Sequence, residues 1–213
     1  MKTQMRFQKY LCLAMLIVGA LALVYAFCYS SGALSELGYV LGYGDFTDYM
    51  TDTSKNSAQL YADIQGFNDA LMYCAIVMIL LAAILYITSC NKRRNYYITN
   101  YVATGACAGG NIIMSIILIA LNAVWRSRFL NVDFKAWNDF NEFGKAIVGE
   151  SDTYSHYYES TLWFDIGFVV YLLVIIASVL LILNLVWKIK LMQGEKKLLN
   201  GSGANIVEGG TAV

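Results

Sequence analysis

Four long apolar runs constrain this chain more than any other feature of its sequence. They cover 11–28, 70–90, 102–125 and 166–187, and none of them contains Asp, Glu, Lys, Arg or His. Roughly 20 helical residues cross a hydrocarbon core of about 30 Å, and only a helix satisfies its own backbone hydrogen bonds in lipid. The runs therefore predict an all-α membrane protein built as a bundle of four transmembrane helices.

Composition favours a membrane protein over a soluble domain. The 213 residues are 58% hydrophobic and only 14% charged, with zero net charge, whereas soluble domains carry about 25% charged residues. The charge balance argues against nucleic acid as a partner. We expect one transmembrane domain over 1–200 and a flexible cytoplasmic tail over 201–213. The helices are expected at about 10–30, 70–91, 102–126 and 164–190.

The first run has the basic start of a signal peptide, since Lys2, Arg6 and Lys9 precede it. The apolar stretch reaches Cys28, which is longer than the usual core of a signal peptide. We therefore expect a retained membrane helix, and cleavage after the triplet Ala20-Leu21-Ala22 is the alternative.

The charges outside the runs predict the orientation. Ten of the fifteen basic residues lie before the first run, between the second and third, or after the fourth, where Lys188 begins the tail. Twelve of the fifteen acids lie in the two long loops instead, and a thirteenth, Asp165, follows the second loop directly. The positive-inside rule then places both termini in the cytoplasm and the loops 33–69 and 126–163 outside, in a cytoplasmic (plasma) membrane.

Both outer loops contain short amphipathic segments. In 57–69 the residues Leu60, Ile64 and Phe67 share one helical face, and in 134–147 the aromatic residues Phe134, Trp137 and Phe140 do so. Such helices lie on a membrane surface or on the mouth of a bundle. Phe134, Trp137 and Phe140 are candidate contacts for a partner protein, and capping of the bundle is the alternative.

The two halves of the chain share one layout, a hairpin of two membrane helices around an acidic outer loop. Three identical residues recur at a constant separation: Tyr61, Asp69 and Lys92 match Tyr157, Asp165 and Lys188. A parallel internal repeat is one interpretation. The other is that any four-span protein with two outer loops has this layout.

Each run also has one small or polar stripe that predicts the inner face of a left-handed bundle. The clearest is on the third run, where Thr104, Asn111, Ser115 and Asn122 recur at spacings of four and seven. These residues either tie helices together or line a polar pathway. The corresponding stripe of the second run includes Ala75, Ala82, Tyr86 and Ser89.

A second pattern on the third run consists of small residues alone. Gly105 and Gly109 form a GxxxG, with Gly110 beside it. Glycines at this spacing let two membrane helices approach closely. We expect a contact with another helix of the same bundle, and self-association is the alternative.

The sequence shows no catalytic, cofactor-binding or metal-binding motif. There is one histidine, His156, and the five cysteines form no CxxC pair, so multi-histidine and zinc-knuckle sites have no support. The four-span layout resembles that of claudins and other tetraspan proteins, but 33–69 lacks the tryptophan and the paired cysteines that claudins carry there.

We therefore expect a non-enzymatic multi-pass protein, an accessory, scaffold or interaction subunit that contacts another membrane protein or itself within the lipid bilayer. The alternative is a small homo-oligomeric channel or transporter in which the polar stripe of the third run lines the pathway.

Overall fold

The computed structural model describes residues 2–32, 52–90, 97–131 and 161–208, with side chains over 3–29, 63–90, 97–131 and 161–198. Every regular element in these ranges is an α-helix. The helices are α1 (Lys2–Gly32), α2 (Asp52–Cys90), α3 (Ile98–Leu130) and α4 (Leu162–Glu208). Each contains an apolar stretch long enough to cross a membrane. The prediction of an all-helical chain with four candidate membrane spans is confirmed.

The helices extend beyond the apolar runs on which the prediction was based. Helix α2 begins at Asp52 and includes the amphipathic segment 57–69 without a break, and α4 continues to Glu208. Hydropathy marks only the part of a helix that suits hydrocarbon. The flanking sequence contains no proline, the residue that most strongly stops a helix, so the helices continue into polar sequence.

The four helices pack in a ring in chain order, with α4 closing against α1. Neighbours are antiparallel: Gln4 near the start of α1 contacts Asn184 late in α4, and Gln8 contacts Ser89 at the end of α2. The start of α1, the end of α2, the start of α3 and the C-terminal half of α4 therefore meet at one end of the bundle, which we call the terminal end.

Close approach of α1 and α2 depends on a glycine. A Cβ added at Gly19 would lie 3.1 Å from Ile79 Cγ1 and 3.5 Å from the Ile79 backbone nitrogen, tighter than ordinary van der Waals contact. The small inner residues of the first run thus bring the two helices of the first hairpin together, as small residues do between membrane helices.

The predicted inner stripes are buried, with one exception. On α3 the buried residues include Thr104, Asn111, Ser115 and Asn122. On α2, Ala75, Ala82 and Ser89 are buried, but Tyr86 is 40% exposed and Leu85 takes the inner position. The prediction for Tyr86 is wrong. With 3.6 residues per turn, residue 86 lies to one side of the line along the helix on which residues 82 and 89 face the interior.

The interior has three layers along the bundle axis. Far from the terminal end lies an aromatic cluster, the middle layer contains small aliphatic and thiol side chains, and a polar layer lies at the terminal end. The aromatic cluster comprises Tyr25, Tyr29, Phe67, Trp125, Phe129, Phe164 and Tyr171. The polar layer comprises Gln4, Gln8, Thr88, Ser89, Asn100, Asn184 and Lys188.

The amphipathic segment at the start of α2 belongs to this interior. Ile64 and Phe67 are 1% and 4% exposed and pack into the aromatic cluster. Such a helix was expected either on a membrane surface or on the mouth of the bundle. Ile64 and Phe67 pack onto the bundle. The segment 134–147 lies outside the described residues.

The buried positions of the two hairpins correspond at a separation of 96 residues. Gln4, Gln8 and Cys12 on α1 are buried, as are Asn100, Thr104 and Ala108 on α3. On α2 and α4 the same separation relates Ala75 to Tyr171, Met78 to Val174, Ala82 to Ser178 and Leu85 to Leu181.

One hydrogen bond also recurs at this separation. Gln4 Nε2 donates to Asn184 Oδ1 over 3.3 Å, and the equivalent Asn100 Nδ2 donates to Thr88 Oγ1 over 2.9 Å. The two hairpins therefore repeat one pattern of burial and one contact between helices.

Candidate functional site

The polar layer is the largest group of buried polar side chains with shared hydrogen bonds in the described ranges. Four of its members lie on inner faces and are almost fully inaccessible: Gln4, Gln8, Asn100 and Lys188 are each 0–1% exposed. They come from three helices, and Ser89 from α2 completes the set. An unpaired polar group in such a place would cost roughly 1–3 kcal/mol.

Asn100 holds this layer together. Its Oδ1 accepts hydrogen bonds from Gln8 Nε2 at 2.9 Å and from Lys188 Nζ at 2.6 Å. Its Nδ2 donates to Thr88 Oγ1 at 2.9 Å and to Ser89 Oγ at 3.0 Å. The first turn of α3 is thereby connected to α1, α2 and α4 through one side chain.

Lys188 is the one residue of the layer with a formal charge, and it is 1% exposed. Its ammonium group bonds to Asn100 and lies 4.2 Å from the centre of the Tyr101 ring. A charge-assisted hydrogen bond and a cation–π contact both offset the desolvation of a buried cation. The lysine thus fastens the end of the apolar part of α4 to the start of α3.

The sequence analysis assigned Lys188 to the tail and missed its burial. A signal was present, because Ser178, Leu181, Asn184 and Lys188 continue the inner stripe of α4 at helical spacing, and all four are buried. Its partner Asn100 is 88 residues away along the chain. Nothing local identifies that acceptor.

Only some residues of the polar stripe of α3 form hydrogen bonds to another helix. Thr104 Oγ1 donates to the carbonyl oxygen of Asn100 within the same helix at 2.7 Å. Asn122 Nδ2 donates to the carbonyl oxygen of Phe164 on α4 at 2.8 Å. Asn111 contacts only Cys107 Sγ, at 3.7 Å, through Nδ2. Asn122 therefore ties two helices, as expected for one of the two interpretations.

Several buried oxygens of this stripe have no hydrogen-bond partner among the described residues. They are Asn111 Oδ1, Ser115 Oγ and Asn122 Oδ1, and the hydroxyls of Tyr29 and Tyr171 share this property. Buried polar atoms are usually satisfied by protein or by ordered water. The outer and central interior thus retains capacity to bind water or another small polar molecule.

The aromatic cluster closes the bundle around a glycine. Tyr25 Oη donates to the Trp163 carbonyl oxygen at 3.0 Å. A Cβ added at Gly167 would overlap the Tyr25 hydroxyl and lie 3.2 Å from Asn122 Nδ2. The Tyr25 ring also packs edge-on against Tyr171, with centroids 5.9 Å apart. Only a residue without a side chain leaves room for this hydroxyl.

Ion pairs add little beside the cluster. Arg126 Nε lies 3.2 Å from Asp165 Oδ1, and Arg128 Nη1 lies 3.5 Å from Asp63 Oδ2. The four side chains are between 37% and 55% exposed, and such pairs contribute about 0–1 kcal/mol.

Gly105 and Gly109 on α3 face away from the other described helices. A Cβ at Gly105 or Gly109 would meet no atom of the described residues within 4 Å. At Gly110 a Cβ would lie 3.4 Å from Leu81 Cδ1 on α2. The contact expected within the bundle is therefore seen only at Gly110, and the GxxxG pair itself lies on the outer surface.

Reactive groups do not converge in the part of the chain that can be described. No three His, Cys, Asp or Glu side chains there come close enough to hold a metal ion. The candidate partner contacts Phe134, Trp137 and Phe140 lie outside the described residues. What the described arrangement does chemically is fix four helices to one another through neutral amides, hydroxyls and one ammonium group.

No protein family model matches this chain, and neither a curated protein nor a solved structure does. What the structure itself shows is the class of protein, an all-helical protein with four candidate membrane spans.

Proposed function

We propose that this protein is a non-enzymatic multi-pass protein of the cytoplasmic membrane that serves as an accessory or scaffold subunit for another membrane protein. Both termini and the 91–96 connection lie in the cytoplasm in this proposal. The excess of basic residues at the terminal end supports that orientation.

The polar layer is the observation that carries the proposal. Its side chains bond across the four interfaces of the ring, for example Gln4 to Asn184, Gln8 to Ser89 and Lys188 to Asn100. Most of the amide groups and the ammonium group of this layer bond between helices, and only Gln4 Oε1 and Asn184 Nδ2 are buried there without a hydrogen-bond partner among the described residues. A bundle fastened in this way supports a fixed outer surface.

Two surfaces suit a membrane-embedded partner. One is the outer face of α3 at Gly105 and Gly109, where the backbone is accessible to a second helix. The other is the loop segment with Phe134, Trp137 and Phe140, whose aromatic residues are typical of the centres of protein interfaces. Together they give the proposal specific residues to change.

A second candidate function is supported by the unpartnered oxygens inside the bundle. Asn111 Oδ1, Ser115 Oγ and Asn122 Oδ1 lie along one face of α3 without acceptor or donor neighbours in the described ranges. In a channel or transporter these oxygens would line the route of a small polar solute.

Native mass spectrometry of the protein, gently extracted from its own membrane, separates the two functions. The accessory proposal predicts a fixed-ratio complex with a different membrane protein, lost on Gly105→Leu with Gly109→Leu or on Trp137→Ala. Gly66→Leu is the control, because a Cβ at Gly66 meets nothing within 4 Å and the residue lies on another helix.

The contrary outcome is a closed homo-oligomer that moves a solute in proteoliposomes. If Asn111→Leu with Asn122→Leu then abolishes the flux, the channel function replaces the accessory one.

A further inference from the structure

An open groove lies on the outside of the bundle at the terminal end, between the start of α3 and the part of α4 beyond Trp187. Its volume is about 430 Å³. The lining residues are Tyr101, Ile189, Met192, Gln193, Glu195 and Lys196. Tyr101 comes from α3 and the others from one side of α4, and the accessible surface of the lining is mostly apolar.

Two lysines lie in or beside the groove. Lys196 lines it, and the buried ammonium of Lys188 lies 4.2 Å from the centre of the Tyr101 ring, which also lines it. Glu195 is the one acid in the lining. Around the same end the sequence carries ten basic residues against Glu195 and Glu208.

We propose that this groove binds a phospholipid with an anionic headgroup. The headgroup phosphate bonds to the Lys196 ammonium and the Gln193 amide, and one acyl chain lies along Ile189, Met192 and the face of Tyr101. Basic pockets beside membrane helices attract anionic headgroups, and each nearby cation contributes about five-fold in affinity. Glu195 opposes the headgroup, so its charge limits the affinity.

The test is a titration of the full-length protein, purified in a neutral detergent, with phosphatidylglycerol and with phosphatidylcholine, read by native mass spectrometry. Phosphatidylglycerol should bind more tightly than phosphatidylcholine by at least roughly five-fold. Lys196→Gln should remove most of that preference, and Glu195→Gln should increase it.

The matched control is Lys190→Gln, an exposed lysine on the same helix that does not line the groove. It should leave the preference unchanged. Equal losses for Lys190→Gln and Lys196→Gln would overturn the proposal, since they indicate diffuse attraction to the whole basic end. Because Lys196 is exposed, its variant should keep the thermal stability of the parent protein.

Competition with a soluble phosphate compound distinguishes a lipid site from a site for free phosphate. Glycerol 3-phosphate, added in excess, should not displace phosphatidylglycerol, because it lacks the chain that contacts Ile189 and Met192. Displacement by glycerol 3-phosphate would show a site for a soluble phosphate and overturn the lipid proposal.

Discussion

Gly167 is the residue at which the structure leaves least space. A Cβ there would overlap the Tyr25 hydroxyl, lie 2.8 Å from Tyr25 Cζ and lie 3.2 Å from Asn122 Nδ2. We expect Gly167→Ala to destabilise the protein by about 1–3 kcal/mol, the usual cost of overpacking a core. Reversible unfolding in mixed detergent measures the change.

Gly109→Ala is the control for this prediction, because a Cβ at Gly109 faces open space. It should change the free energy of unfolding by no more than about 0.5 kcal/mol. Equal effects of the two substitutions would show that Tyr25 can move aside and that the space at Gly167 does not contribute to stability.

Asn100 and Asn111 give opposite expectations although both are buried asparagines on one helix. Asn100→Ala removes two acceptor and two donor contacts, including the hydrogen bond from the Lys188 ammonium. We expect a loss of about 2–4 kcal/mol, given roughly 0.6 kcal/mol per hydrogen bond between membrane helices and more for the bond to a charged group. The same unfolding assay applies.

Asn111→Leu should be close to neutral or stabilising. Its Oδ1 has no partner among the described residues and its Nδ2 reaches only Cys107 Sγ, so an apolar replacement removes an unsatisfied group. A large loss on Asn111→Leu would instead show that water or another ligand bonds to this side chain in the native protein.

At the scale of the helix, periodicity predicted which faces turn inward. The stripe from Thr104 to Asn122 is buried because helical spacing puts those residues on one side of α3. Gly105 and Gly109 lie next to Thr104 and Ala108 in sequence but roughly 100° around the helix. They could not be assigned to a neighbour from sequence alone, since spacing gives a face and not its partner.

The ends of the helices and the burial of Lys188 could not be predicted from the sequence. Hydropathy finds only the apolar part of a helix. The sequence analysis therefore predicted the start of α2 and the end of α4 too close to the apolar runs. The burial of Lys188 depends on Asn100 and Tyr101, which lie on the other helix of the same hairpin and far away along the chain. A lysine beside an apolar run is otherwise typical of a membrane boundary.

For the whole molecule, the shared pattern of the two hairpins suggests an experiment in which the hairpins are expressed as separate fragments. The chain should tolerate division within 91–96 into fragments 1–96 and 97–213. Four bonds of the polar layer cross between these fragments, from Gln4 to Asn184, from Gln8 to Asn100, and from Asn100 to both Thr88 and Ser89. Fragments expressed together should therefore co-purify at a ratio of one to one.

The control pair carries Asn100→Ala in the second fragment, which removes three of those bonds and should lower the recovered complex several-fold. Fragments that fail to associate even without the substitution would show that the hairpins depend on their covalent connection.

The length of α4 has a mechanical consequence. Its 47 residues extend about 70 Å, more than twice the thickness of a hydrocarbon core. The arm beyond Lys188 is about 30 Å long. A tilt of α4 by ten degrees about the contact between Lys188 and Asn100 would move the end of this arm by about 5 Å. Distances between spin labels on the arm and on α3 would register a displacement of that size.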